Sequence, residues 1–347
     1  MTKLEIERAV SPLISILINN YNYANFIDAA INSALNQSYS NLEVIIVDDG
    51  STDNSAAIIS KYTDRVKHIQ KENGGQASAI NYGFSLCKGD FVLILDSDDV
   101  LYNNAIKLCV SAIENSSGSV AKVQAPLIIK SCDEATNGKK LPYQLLQTGS
   151  FRQFSLDNGP ASYPCPPMSG NLWSSHFLTQ VLPIPESCYR TSADAYLFTL
   201  APLFGNFVSL QEPIGIYRLH DRNSYWNKEI NPKKMRREIY QYKQRCLSME
   251  KFARLQGEQV DSKAWRMQHR YYLAKVTSLW KIRSHLPVPV SFRSFYVSIA
   301  ASEINTYRKT MWIVWFVLMM LVPLQTSRCL IQLYFGLQFR TERKSVY

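Results

Sequence analysis

Four short runs of aliphatic residues, LISILIN (13–19), LEVIIV (42–47), VKHI (66–69) and FVLIL (91–95), recur early in the chain with helix-periodic stretches between them. Apolar strands separated by helices long enough to cross over are the pattern of successive β-α-β units. Such units build a mostly parallel sheet buried on both faces, and this constrains the fold more than any other feature. Between the first two runs Phe26, Ile27, Ala30, Ile31, Ala34 and Leu35 fall at helical spacing and form one apolar stripe. Further helices are expected over 54–62, 76–87 and 102–115. With 347 residues, 46% of them hydrophobic, the chain can bury one full core and carry an appendage.

In a sheet of this kind ligands bind beyond the carboxyl ends of the strands. Three polar clusters stand there: Asn19, Asn20 and Tyr21; Asp48 and Asp49 in VIIVDDGSTDNS; and Asp96, Ser97, Asp98 and Asp99 in LILDSDDV. The last places three carboxylates within four positions, where like charges beside a buried strand need cancellation. A hard cation such as Mg²⁺ or Mn²⁺ supplies it, taking one or two carboxylates and filling its shell with water and phosphate oxygens. The plainer alternative is an acidic turn capping the helix expected near Tyr102. Neither GxGxxG after the first strand nor GxxxxGK[ST] is present, which argues against a dinucleotide site and a P-loop. The DxDxV that follows FVLIL also spells a haloacid-dehalogenase-type phosphohydrolase with Asp96 as nucleophile. That class carries its nucleophile on the first strand of the core, whereas here it would lie on the fourth.

The stretch 130–190 loosens into SCDEATNGKKLPYQ and ASYPCPPMSGNLW, expected to be loops over the sheet. SADAYLFTLAPLFG then reads as a helix and NFVSLQEPIGIYRLH as strands. Much of the net charge of +10 lies after residue 230, in a helical, basic region that suits an anionic partner. A non-catalytic basic module for nucleic acid is a third possibility, but no RNA-binding aromatic motif accompanies the charge, so nucleic acid is not expected. Near the end, MWIVWFVLMMLVPL (311–324) is shorter than the roughly 20 residues that span a bilayer. An interfacial segment in peripheral contact with an anionic membrane is expected, against the rival of a buried or oligomer-forming helix. The apolar run CLIQLYFGLQF follows it. Seven cysteines with no CxxC pair fit a reducing compartment, and MTKLEIERAVSPLISILINN shows no secretory signal. The expected location is therefore the cytoplasm, at the inner face of the plasma membrane.

The stretch LISILINNYNYANFIDAAINSALNQSYSNLEVIIVDDGSTDNS, with ENGGQASAINYG and KGDFVLILDSDD after it, closely resembles the family 2 glycosyltransferases of the GT-A fold. The resemblance covers residues 12 to about 105 and continues more weakly to about 220. It implies an α/β fold, a Rossmann-like mostly parallel sheet flanked by helices, with a membrane-associating helical region after it. The GT-A domain would occupy 1–225, its nucleotide-sugar half about 12–105 and its acceptor half about 106–225, leaving 226–347 as the basic region. The implied activity is inverting, metal-dependent transfer of a sugar from a nucleotide-sugar, UDP-sugar above all, to a hydroxyl of a lipid-linked glycan or polysaccharide. By the same resemblance Asp96 contacts the ribose or sugar, Asp98 coordinates Mn²⁺ or Mg²⁺ at the diphosphate, and Asp99 supports it. Asp49 accepts from the base, Tyr21 stacks on it with Asn19 alongside, and Gly74 and Gly75 form the lip of the donor pocket, with Gln76 and Asn81 as weaker candidates. Asp48 ranks below Asp49, as a residue that braces the loop. Asp194 in RTSADAYLF is the base for the acceptor hydroxyl, although Ala193 stands where many members carry Glu. In GIYRLHDRNS, Arg218 would meet phosphate and His220 the metal.

Overall fold

The computed structural model describes residues 11–131, 137–160, 162–220, 223, 232–268, 292–301, 306–323, 326, 329 and 330. One compact unit comprises Met1–Phe151 and Pro164–Asn223, and a second comprises Arg152–Tyr163 and Ser224–Tyr347.

In the first unit the aliphatic runs become β1 (Ile14–Asn20), β2 (Leu42–Asp48), β3 (Lys67–Gln70) and β4 (Phe91–Asp96). They are joined by the helices α1 (Ala24–Leu35), α2 (Ser55–Ile59) and α3 (Gln76–Phe84). All four strands run parallel, β1 pairing with both β2 and β4. Ile16, Leu17 and Ile18 are fully enclosed because helices cover both faces, and burial of each such side chain stabilises the sheet by about 1.5–3 kcal/mol. The stripe predicted on α1 is the buried one: Ile27, Ala30, Ile31 and Ala34 face the sheet.

Beyond β4 come β5 (Val100–Leu101), α4 (Ala105–Glu114), β6 (Val120–Gln124), β7 (Leu127–Lys130) and β8 (Lys140–Leu141). The 130–190 stretch does not stay outside the sheet as expected. From it β9 (Asn171–Ser174) inserts between β4 and β6, antiparallel to both, and is buried along its whole length. Four residues are too few to display a period, so nothing in the sequence marked this strand. It continues directly into α6 (Ser175–Val181). The predicted helix after residue 192 is α7 (Asp194–Leu200), which tightens into a 3₁₀ turn over Ala201–Leu203. β10 (Asn206–Ser209) then closes the edge of a seven-stranded sheet in the order β10-β6-β9-β4-β1-β2-β3. A second sheet, β5-β11-β7-β8, is completed by β11 (Gly215–Arg218).

In the second unit α5 (Arg152–Asn158) accompanies α8 (Pro232–Leu255) and α9 (Ser262–Gln268). Met235, Ile239, Tyr242, Cys246, Met249 and Ala253 recur three or four residues apart on α8 and form its buried stripe. The Trp265 indole donates to the Leu156 carbonyl at 2.7 Å. Two further helices, Phe292–Ala301 and Thr306–Leu321, pack through the stacked rings of Phe295 and Phe316. The apolar run 329–339 and the basic stretch 269–291 lie almost wholly outside the described residues. Among the described residues no helix is long and apolar enough to cross a membrane.

Candidate active site

The register of the parallel strands decides what meets at their carboxyl ends. Asn19 stands opposite Asp96 and Asn20 opposite Asp48. The Asn19 side-chain amide donates to Asp96 Oδ1 at 3.3 Å, and that of Asn20 to Asp48 Oδ1 at 3.0 Å. Ser51 donates to the same Asp48 oxygen. Asp48 is fully buried and braces the DDGSTD loop, as expected of it.

Asp49, also buried, points the other way. Its carboxylate accepts from Lys71 Nζ at 2.9 Å and from the backbone N–H groups of Gly74 at 3.0 Å and Gly75 at 2.6 Å. The two glycines expected at the pocket lip thus direct their amides to Asp49. Gly75 takes φ +91°, and a Cβ there would lie 2.6 Å from the Arg190 carbonyl oxygen, so only glycine lets the chain pass. Tyr21, just past the end of β1, is 45% exposed.

Asp96 ends β4, and Asp98 and Asp99 lie in the turn before β5. One carboxylate oxygen from each of the three can be chosen so that all lie within 4.8 Å of one another. Burial, then Asp98 and Asp194, push the Asp96 carboxyl up to about 7, even though Asn19 and Gln76 donate to it. The Asp99 carboxyl is raised well above its ordinary value, first by burial and then by Asp98 and Asp96. Uncompensated negative charge of this kind is what a divalent cation relieves, and an all-oxygen set suits Mg²⁺ or Mn²⁺. Asp96, Asp98 and Asp99 therefore fit a metal by both geometry and electrostatics.

Arg218, His220 and Ser169 fix this turn, and the sequence marked only the first two. Arg218, expected on phosphate, directs its guanidinium to main-chain carbonyls in the ligand-free chain: Asp98 from Nε, and Phe26 from Nη2 at 3.0 Å. The Ser97 and Asp99 carbonyls lie at 3.4 Å from the same Nη2, and the guanidinium sits over the Phe26 ring. His220 Nε2 stands 3.0 Å from Asp98 Oδ2, its ring packed on Phe26 and Tyr23. Ser169, in the 3₁₀ turn Met168–Gly170, was not foreseen: its hydroxyl donates to Asp99 at 2.7 Å and accepts from the Asp96 N–H at 3.1 Å. Tyr217, also unforeseen, has its phenol pushed up by burial, then by Asp99, Asp98, Asp96 and Asp194.

Asp194 opens α7, and its Oδ1 accepts from the Ala195 N–H at 2.9 Å. Ser192, just before it, takes φ +64°, an unusual conformation for serine that turns the chain into the helix. Gln76 ties this corner to the acidic turn. Its Nε2 donates to Asp96 at 3.1 Å and its Oε1 accepts from the Ala193 N–H at 3.0 Å. Asn81 does something different, clasping the Ile184 backbone at 2.8 and 2.9 Å and donating to the Glu186 carboxylate at 3.3 Å rather than to the acidic turn.

Residues 15–175 match the model of glycosyl transferase family 2. An uncharacterized glycosyltransferase of Nostoc sp. is 36% identical over 226 residues, 61% of this chain and 66% of that protein. The chondroitin synthase of Pasteurella multocida is 48% identical over 102 residues, 28% of this chain and 11% of that protein. The chain thus spans just under two thirds of the first relative and about a tenth of the second. Among solved structures, S. aureus TarS 1-349 in complex with UDP-GlcNAc superposes with a TM-score of 0.57 at 15% identity, over 93% of this chain and 92% of that one. A mannosyltransferase of Pyrobaculum calidifontis, in complex with GDP-Man and Mn²⁺, gives 0.50 at 14% identity, over 90% and 86%. At such identities these structures establish the fold, an α/β sheet flanked by helices of the GT-A type. Neither the phosphohydrolase nor the basic-module reading accounts for these matches. Over residues 15–175 the chain carries a glycosyl transferase family 2 domain.

Proposed function

We propose that this protein is an inverting, metal-dependent glycosyltransferase that moves a sugar from a UDP-sugar to a hydroxyl of a lipid-linked glycan or polysaccharide. The observation that carries the reading is the gathering of Asp96, Asp98 and Asp99 at the end of β4, with Asp194 close enough to raise the Asp96 carboxyl. The complexes of TarS with UDP-GlcNAc and of the mannosyltransferase with GDP-Man and Mn²⁺ support a nucleotide-sugar donor and a divalent ion.

In this proposal Asp98, with His220 at its shoulder, and Asp96 hold Mn²⁺ or Mg²⁺, which when bound offsets the charge of the departing diphosphate. Asn19 fixes the Asp96 carboxylate towards the ribose or sugar. Tyr21 stacks on the base. Asp49 retains acceptor lone pairs for the uracil N–H while Gly74 and Gly75 hold it in place, and Arg218 supports the diphosphate side by shaping the acidic turn. Asp194 takes the proton of the acceptor hydroxyl as its oxygen attacks the anomeric carbon. A single displacement inverts that centre, so an α-linked donor gives a β-linked product.

The test is Asp194→Asn. The expected outcome is a loss of transfer of about 10²–10⁴-fold with UDP-sugar binding unchanged, read by product formation and by calorimetry on the same preparation. Full activity in the variant would remove Asp194 from the role of base.

Peripheral attachment at the inner face of the plasma membrane is part of the same proposal. Phe292, Tyr296, Met311, Val314, Leu318 and Leu321 of the last two helices are exposed, Leu321 by 76%, while Phe295, Ile299, Phe316 and Met319 fill the contact between them. The sixteen residues of Thr306–Leu321 measure about 24 Å along the axis, less than the roughly 30 Å of a hydrocarbon core. An apolar face beside Arg293 and Lys309 suits the boundary of an anionic bilayer.

A further inference from the structure

Lys122 is fully buried on β6, inside a ring of three aromatic side chains. Its ammonium lies 4.6 Å from the Phe207 ring centroid, 4.8 Å from that of Phe198 and 5.2 Å from that of Trp173. Burial pulls its pKa down to about 8. A buried cation is costly to desolvate, and a methionine would fill the same space without that cost. The roles already assigned to the site do not use this lysine.

Its hydrogen bonds lead back to the acidic turn. Lys122 Nζ donates to Asn171 Oδ1 at 3.0 Å. An ammonium only donates, so it forces the Asn171 amide to present its oxygen to β6 and its NH₂ to the opposite side. That NH₂ meets the carbonyls of Pro167 at 2.8 Å and Met168 at 3.3 Å, the entry to the 3₁₀ turn Met168–Gly170. Gly170 packs its backbone against Ala125 on the β6 side, where a Cβ would lie 2.6 Å from a carbonyl oxygen, so the turn has no room to slide. Ser169 projects from this turn onto the Asp96 N–H and the Asp99 carboxylate.

We propose that Lys122 is a positioning residue for the carboxylates at the end of β4, acting through Asn171 and Ser169. The inference rests on the metal-holding role given above to Asp96 and Asp98. Lys122 touches neither donor nor metal. It fixes the amide that fixes the turn that aims Ser169, and Ser169 in turn sets the spacing between Asp96 and Asp99. The aromatic ring supplies an environment in which a buried ammonium is tolerated through cation–π attraction while its donor stays directed at Asn171.

The experiment titrates Mn²⁺ in the presence of UDP, reading the free-ion signal by electron paramagnetic resonance, and records the melting temperature of each variant. The full-length wild-type protein and Asp98→Asn frame the scale. Lys122→Met keeps the volume and removes the donor. The expected result is Mn²⁺ binding weakened on the order of 10-fold, the scale of lost outer-shell support, with a melting temperature equal to or above that of the wild type. Ser169→Ala should weaken Mn²⁺ similarly, and the double variant should be no worse than the weaker single one, because both break the same chain. Asn171→Asp keeps an acceptor facing Lys122 but removes the amide donors to Pro167 and Met168. It is expected to show the same loss, and it carries the test if Lys122→Met does not fold. Unchanged Mn²⁺ affinity in folded Lys122→Met or Asn171→Asp overturns the positioning role while leaving the proposed function standing. Multiplying effects in the double variant would overturn it too. Absence of Mn²⁺ binding in the wild type defeats both readings at once.

Discussion

Burial makes an ionised Asp96 carboxylate costly to the folded chain. Its carboxyl is raised to about 7 from an ordinary 3.8, so between those values the folded chain keeps a proton that the unfolded chain has lost. Stability contributed by this group is therefore intact below about pH 4, falls as pH rises to about 7, and stays low above it. A cation bound there would offset the penalty. In the metal-free protein Asp96→Asn is expected to raise stability at pH 7.5 by on the order of 1 kcal/mol. The gain should vanish near pH 4, when urea unfolding of variant and wild type is compared across that range. The same substitution should abolish Mn²⁺-dependent nucleotide binding. A variant less stable than the wild type at pH 7.5 would mean that the carboxylate is already compensated by the protein.

At the scale of elements, legibility followed length and chemistry. β1, β2 and β4 announced themselves because parallel strands buried on both faces read as unbroken apolar runs, and α1 because one face had to meet them. The acidic turn was legible because three carboxylates together demand an explanation. β9 was not, since four residues carry no period and its antiparallel insertion is settled only by the strands on either side. β6 was hidden by Lys122, a charged residue whose aromatic surroundings come from elements far apart in sequence. Ser169 and Gln76 were obscure or weak for a related reason: a hydroxyl or an amide becomes a site residue only once the fold brings it to a carboxylate. The helix Thr306–Leu321 carries its own prediction. The full-length protein should co-sediment with vesicles containing phosphatidylserine, and the double substitution Val314→Glu with Leu318→Glu should reduce the bound fraction at least fivefold, since each charge costs about 1 kcal/mol or more at the apolar boundary. Equal binding by the variant, or self-association without vesicles that the substitutions disrupt, would assign that face to protein contact instead.

For the whole molecule, the order of motifs along the sheet matters more than any one of them. Asn19 and Asp96 end separate strands, Asp49 follows a third, and Asp194 and His220 come from distant sequence, yet the parallel register places the three strand ends along one edge, and Gln76 and Asp98 connect the others to it. A sequence with the aspartates of LILDSDDV but without the strands before it would have no Asn19 beside Asp96. The acceptor is the part least written in the residues, because the 130–190 stretch combines β9 and two short helices with irregular chain whose shape follows packing rather than pattern. The proposed function requires the end of β4 to grip a nucleotide diphosphate through a metal. Its most direct test is calorimetric binding of UDP to the full-length protein, with GDP and dTDP for comparison, first with Mn²⁺ and then with a chelator. UDP binding is expected to need Mn²⁺, to exceed that of the other two nucleotides, and to be lost in Asp98→Ala. Nucleotide binding indifferent to the chelator, or none with any divalent ion, would contradict it.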